Sequence, residues 1–338
     1  MALRSEVLSE LRGAVGFDAY VWLLTDPGTF VGCSPLADVP VDDLPALIAA
    51  KYLTEVNRWT RLASGHTSAA SLLGSTRGKP EESLVWREIL ASYRVVDVAS
   101  AVFTDRHGSW GFVDLWRIAP ASPFEADVIE LLEAVVPAVT NALRRAQAAT
   151  FGEPAVTVPR DQGPVVLLLD GALHVVDQTT AAGDWLRVLV PSSPGAQPIP
   201  AAAYNVGAQL IAVERGVDGH EPRARVHLAG GFWVTLRAGR LGGADGPTDA
   251  AIAVTIEEAS SVDRLEVFGR ASALSRRERE LLTLLGEGAA TTGLAARMFV
   301  TEHTVQDHLK SIFDKTSTHS RRELLSRVLG TKAELTGS

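Results

Sequence analysis

Cysteine is nearly absent from this sequence: Cys33 is the only one in 338 residues. A single thiol cannot close an intrachain disulfide or build a multi-cysteine metal or iron–sulfur site. A reducing compartment suits such a chain, and a packed thiol is expected in preference to a redox sensor. Long apolar runs are also missing. No stretch of eighteen apolar residues occurs, and the N-terminal MALRSEVLSELRG lacks the apolar core of a signal peptide. A cytoplasmic protein without a membrane segment is expected. Enzymatic constellations are lacking too, with no GxSxG elbow and no P-loop. His303 and His308 are five positions apart, off the i, i+4 spacing of two metal ligands on one helix face. Asp42 and Asp43 follow a Pro-bounded loop instead of the hydrophobic strand that precedes a receiver-domain phosphoacceptor. No enzyme activity, metal or cofactor is therefore expected.

Apolar material is plentiful, at 46% of residues, so the chain can bury real cores, and its length suits two or three domains. Charge is unevenly divided. The whole chain carries −8, yet residues 272–330 hold nine basic and seven acidic residues, giving +2, and residues 1–271 hold 22 and 32, giving −10. A mildly basic end on an acidic body implies modest non-specific affinity for polyanions.

That basic end carries the most information. Ser275 and Glu278 have the spacing of a capping box, opening a helix whose Leu281, Leu282, Leu284 and Leu285 form an apolar face before Gly286 and Gly288. TTGLAARM offers Leu294, Ala295 and Met298. Thr301 can cap TEHTVQDHLKSIFDK, where Val305, Leu309, Ile312 and Phe313 fall at helical spacing. Ser320 and Glu323 suggest a second capping box before Leu324, Leu325, Val328 and Leu329. Four short amphipathic helices are read here, and three apolar faces around one short connector describe a small helical bundle containing a helix-turn-helix.

The segment resembles the LuxR (GerE-type) DNA-binding domain of bacterial transcription regulators. LSRRERELL (274–282), Gly286, Gly288, TEHTVQDHLKSIFDK (301–315) and Arg321 carry the likeness, over about 60 residues. Two features depart from it: Gln306 and Asp307 follow the Thr-Val pair where a basic residue is frequent, and Lys315-Thr316-Ser317 replaces Lys-Leu-Gly. The resemblance implies that Gln306, Asp307 and Lys310, with His303 one turn earlier, read base edges, and that Thr301, Thr304, Lys315 and Arg321 sit near phosphates. Gln suits adenine, Lys guanine, and Asp the cytosine amine. The bland alternative is a solvated face of a small bundle.

Residues 1–148 read as an α+β domain: a helix, the strand YVWLLTD, helices around 44–63 and 84–93, a hairpin over 96–117 turning at Arg106-His107-Gly108, and a closing helix. This order resembles a GAF domain. Ser122 to Glu125 has capping-box spacing. In the closing helix Ile129, Leu132, Val136, Val139 and Leu143 form a heptad seam beside a second stripe, Val128, Leu131, Val135 and Ala142. Either one stripe meets a partner subunit or both serve the core, and Pro137 would bend a long coil. Residues 149–163 read as a linker. Residues 164–259 run strand-strand-helix-helix-three strands and resemble a PAS domain. Residues 260–271 read as a connecting helix into an all-α domain at 272–333.

These features describe a ligand-responsive transcription regulator that binds double-stranded DNA as a homodimer, with an unidentified small-molecule effector and RNA polymerase as a further candidate partner. Trp22, Trp110, Trp116, Trp185 and Trp233 are the candidate effector-pocket residues, against an ordinary core role. The competing class is a sensory or scaffold protein whose helical end mediates protein contacts.

Overall fold

A computed structural model describes residues 2–152, 165–182, 201–228, 232–242, 250–289 and 291–330. The first domain is built on an antiparallel sheet in the order β2-β1-β5-β4-β3. Its strands are β1 (Ala19–Thr25), β2 (Gly32–Asp38), β3 (Ala69–Ser71), β4 (Val95–Asp105) and β5 (Gly108–Ile118). The β4–β5 hairpin anticipated from alternation forms at its expected place. The edge strands β2 and β3 were not anticipated. GCSPLAD contains proline and shows no apolar alternation, and AAS is too short to carry a period.

Period two sorts the strand residues onto two faces. Trp22, Val113 and Leu115 face α1 (Ala2–Val15) and α5 (Ala126–Ala149), in a core with Leu8, Leu11, Leu132, Val136, Val139 and Leu143. A bulge beside Phe103 shifts the register, so Trp110 joins this same face. Leu23, Phe112 and Trp116 turn the other way, towards α2 (Leu44–Leu53), α3 (Trp59–Ser64) and α4 (Leu72–Ser75). The heptad seam of α5 therefore covers its own sheet, as the core reading of the two stripes expects. Leu131, on the second stripe, is exposed.

The capping box expected at Ser122 to Glu125 does not form. Glu125 is the N-cap of α5 and makes no side-chain cap bond. The buried Asp97 carboxylate explains this. It accepts from Phe124 N at 3.1 Å as well as from Leu73 N and Val98 N, and Arg117 binds the carbonyls of Ser122 and Pro123. The chain is thus held extended until Phe124 enters the core. Cys33 is buried, and burial with the nearby Asp26 charge pushes its thiol up to about 12, which keeps it protonated.

The second sheet repeats the order of the first: β7-β6-β10-β9-β8, again antiparallel. Its strands are β6 (Val165–Leu169), β7 (Val175–Gln178), β8 (Arg223–Leu228), β9 (Phe232–Arg240) and β10 (Ile252–Glu258). The helix α6 (Ala201–Glu214) is buried nearly all round, because it lies between β9 and the first domain's α2 and β2. The expected linker after Phe151 and the first expected helix of this domain, with Trp185, lie outside the described residues. No helix among the described residues is long and apolar enough to cross a membrane.

Among the described residues five helices follow β10: α7 (Ser261–Ala271), α8 (Arg276–Gly286), α9 (Thr291–Met298), α10 (Glu302–Thr316) and α11 (Arg321–Leu329). Their apolar faces form one core that extends through Phe268 to Phe151 and Trp233. Phe151 stacks on Trp233 at 4.9 Å and meets Phe268 edge-on at 5.2 Å. Gly286 lies against Leu265, and a Cβ there would come within 2.5 Å of a leucine methyl.

Candidate nucleic-acid interface and effector pocket

The helix α10 is positioned from both ends. Thr301 caps it, its hydroxyl accepting from Thr304 N at 3.2 Å. The turn before it places Phe299 at φ 55, fully in solvent at 94% exposure. Val305, Leu309 and Ile312 are buried against α8 and α9. A clamp then fixes the rotation of α10. Glu278 of α8 is the carboxylate half of an intact capping box with Ser275, whose N–H it accepts at 2.6 Å. It also accepts from Ser311 Oγ at 2.6 Å and from Lys315 Nζ at 2.6 and 2.7 Å. Burial alone would raise the Glu278 pKa, but the bonds from Lys315, Ser311 and Ser275 bring it down to about 2.

This packing leaves one face of α10 open. Thr301, His303, Gln306, Asp307 and Lys310 are exposed, and Thr304 is half-buried beside them. His303 Nε2 stands 3.8 Å from Asp307, one turn apart. Lys315 is exposed along its stem, but its ammonium is held by Glu278, a partner the sequence reading did not assign. Arg321 opens α11, half-buried. The second expected capping box is only half formed: Ser320 accepts from Glu323 N, while the Glu323 carboxylate reaches past it to His319 N.

Residues 272–328 match the family model GerE, described as bacterial regulatory proteins, luxR family. The match is confined to α8–α11, which form a helical domain of LuxR type. A comparison of the whole chain with curated proteins gives no match. Among solved structures, Escherichia coli SdiA aligns at 11% identity over 97% of this chain and 89% of its own, with a TM-score of 0.26. A Vibrio cholerae VqmA–ligand–DNA complex aligns at 18% identity over 51% of this chain and 84% of its own, with a TM-score of 0.21. A VqmA dimer solved without target DNA aligns at 17% identity over 50% and 83%, with a TM-score of 0.20. Scores of this size do not extend the likeness beyond the LuxR-type domain.

The LuxR-type domain is tied to the rest of the chain through α7. Arg264 Nε donates to Val328 O of α11 at 2.7 Å, and Arg270 reaches His107 O in the β4–β5 turn at 3.0 Å. Arg144 of α5 binds Ala271 O. Arg225 of β8 joins Glu266 of α7 at 2.6 Å and Asp26, at the end of β1, through two nitrogens at 2.6 and 2.7 Å. Asp26 and Arg225 are both fully buried. Burial opposes ionisation of Asp26, but Arg225 and the backbone N–H groups of Gly28 and Thr29 hold its pKa below the ordinary value.

A cavity of about 240 Å³ lies between the first sheet, α2 and α6. Val21, Leu23, Leu47, Ile48, Phe112 and Trp116 give it an apolar wall. Of the tryptophans expected to line a pocket, only Trp116 does so among the described residues. Trp22 and Trp110 are on the opposite face of the sheet, Trp22 stacked on Phe103 at 5.1 Å, and Trp233 is in the core shared with α7. The polar lining was missed: Lys51, Tyr52, Asn57, Ser100, Asp114 and Asn205. Ser100 and Asp114 are cross-strand partners in otherwise apolar strands, a signal the sequence does carry. Ser100 Oγ donates to Asp114 Oδ1 at 2.6 Å, and Lys51 Nζ meets Asp114 Oδ2 at 2.7 Å.

Proposed function

We propose that this chain is a ligand-responsive transcription regulator that binds operator DNA as a dimer through the LuxR-type domain. The observation that carries it is the coincidence of the family match at 272–328 with an open α10 face presenting Gln306, Asp307 and Lys310. A recognition helix needs such a face, because base edges are read by outward side chains on its N-terminal half. The two preceding domains support the sensory half of the reading. They share one strand order, resembling GAF and PAS modules, and the first contains an apolar cavity of ligand size. The α7 helix, anchored in both domains and in α11, offers a mechanical path from cavity to DNA. Such a regulator works in the cytoplasm and has no catalytic step of its own.

Selection from a pool of random duplexes by the full-length protein tests this function. An enriched inverted repeat, its half-sites about one helical turn apart, is the expected outcome. Recovery of no preferred duplex, together with salt-insensitive capture of a protein partner by the helical domain, would favour the scaffold role instead.

A further inference from the structure

The cavity has features that specify its ligand more narrowly than its size does. Asn205, on α6 of the second domain, is 1% exposed and, with Ala201 of the same helix, lines a cavity otherwise formed by the first domain. Its Nδ2 donates to Ala201 O at 2.8 Å, which fixes the orientation of the amide, since a backbone carbonyl can only accept. Its Oδ1 has no hydrogen-bond partner among the described residues, and neither has the buried Nδ2 of Asn57, which lines the same cavity. A buried polar atom left unpaired is costly and calls for an explanation. The charged groups present no such need. Lys51 and Asp114 neutralise each other, and Ser100 takes the second carboxylate oxygen. An ionised ligand would enter beside a pair already satisfied, with its own charge buried and unmatched.

We infer that the cavity is a binding site shared by the two sensory domains, which takes a compact uncharged molecule whose apolar body carries a hydrogen-bond donor for Asn205 and an acceptor for Asn57. The volume of about 240 Å³ exceeds the roughly 150 Å³ that receives a benzene ring, so a ring with a short polar chain is accommodated. Because one polar contact comes from each domain, occupancy stabilises the arrangement in which α2 and α6 are packed together. This assignment rests on reading the chain as ligand-responsive, and it names the chemistry of the effector.

The test uses three probes on one skeleton, phenylacetamide, phenylacetate and phenethylammonium, titrated into the full-length protein by calorimetry without DNA. Phenylacetamide is expected to bind, with both ions at least about tenfold weaker because each would bury an unpaired charge. Asn205→Leu should weaken the amide about three- to tenfold, the loss of one hydrogen bond. The same variant should melt no lower than the parent, since an unpaired buried carbonyl gives way to an apolar group of similar size. Asn205→Ala, which opens space instead of filling it, should show the same loss of amide binding. Equal binding of either ion, amide binding that survives both variants, no amide binding, or an Asn205→Leu protein that melts lower would each overturn the assignment. Failure of the wild-type protein to bind any duplex would instead sink the regulatory function and leave the pocket assignment standing.

Discussion

Glu278 and Lys315 join α8 to α10 at a residue that the proposed function also assigns to DNA contact. The Glu278 carboxylate takes bonds from Ser275, Ser311 and Lys315, so it ties the start of α8 to the last turns of α10. Lys315→Met would leave that carboxylate buried without its charge partner, and a loss of about 2–4 kcal/mol in urea unfolding of the helical domain is expected. A near-neutral variant with weakened DNA affinity would show Lys315 to be a phosphate contact alone. The pH dependence has a definite sign. The folded pKa of Glu278, about 2, lies below its ordinary 4.5, so the contribution is fully present above the ordinary value. It is lost as pH falls from about 5 towards 2, by on the order of 2–3 kcal/mol, and Glu278→Gln should flatten that part of the stability profile. The capping half of this interaction was legible, because S-x-x-E is a local pattern. The clamp was not, because Ser311 and Lys315 meet Glu278 only once three helices are packed.

Among whole elements, helix periodicity was the most readable signal. The buried positions of α8, α9, α10 and α11 are those their 3.6-residue spacing indicated. The heptad in α5 shows where periodicity stops being informative, since it identifies an apolar stripe without saying what covers it. Here the stripe covers the first sheet, with Val136 at 5% and Val139 at 8% exposure. Val136→Glu should therefore cost more than about 4 kcal/mol and unfold the first domain, as measured by loss of tertiary circular dichroism. A folded monomer from that substitution would restore the seam as a subunit contact. The end of α10 yields a milder prediction. Ser317, where the related family has glycine, adopts φ 51 as the C-cap. Ser317→Gly should stabilise the helical domain by about 1 kcal/mol, because the left-handed conformation costs glycine no steric penalty. No gain in melting temperature would mean that a Ser317 side-chain contact offsets the strain.

At the scale of the molecule, the junction of Asp26, Arg225 and Glu266 holds the two sheets and the connecting helix together. Nothing local in TDPG, RARVH or RLEVF announces it, because its members are far apart in sequence. The same holds for Asn205, which completes a cavity in the other domain. Arg225→Met should destabilise the full chain by about 3–5 kcal/mol by leaving Asp26 buried and unpaired, whereas adding Asp26→Leu to it should recover part of that loss. Additive losses in chemical denaturation would show that the pair does not act as a unit.

In the proposed function the open face of α10 reads DNA on behalf of the domains before it. The most direct test of this reading is fluorescence anisotropy with the selected duplex and a scrambled one, over a salt series, for the wild-type protein and Lys310→Ala. A strong preference for the selected duplex is expected, with affinity that falls steeply as salt rises. Lys310→Ala should lose about 1–3 kcal/mol on the selected duplex and discriminate less at one base position. Equal affinity for both duplexes at every salt concentration, or a Lys310→Ala protein indistinguishable from wild type, would contradict it.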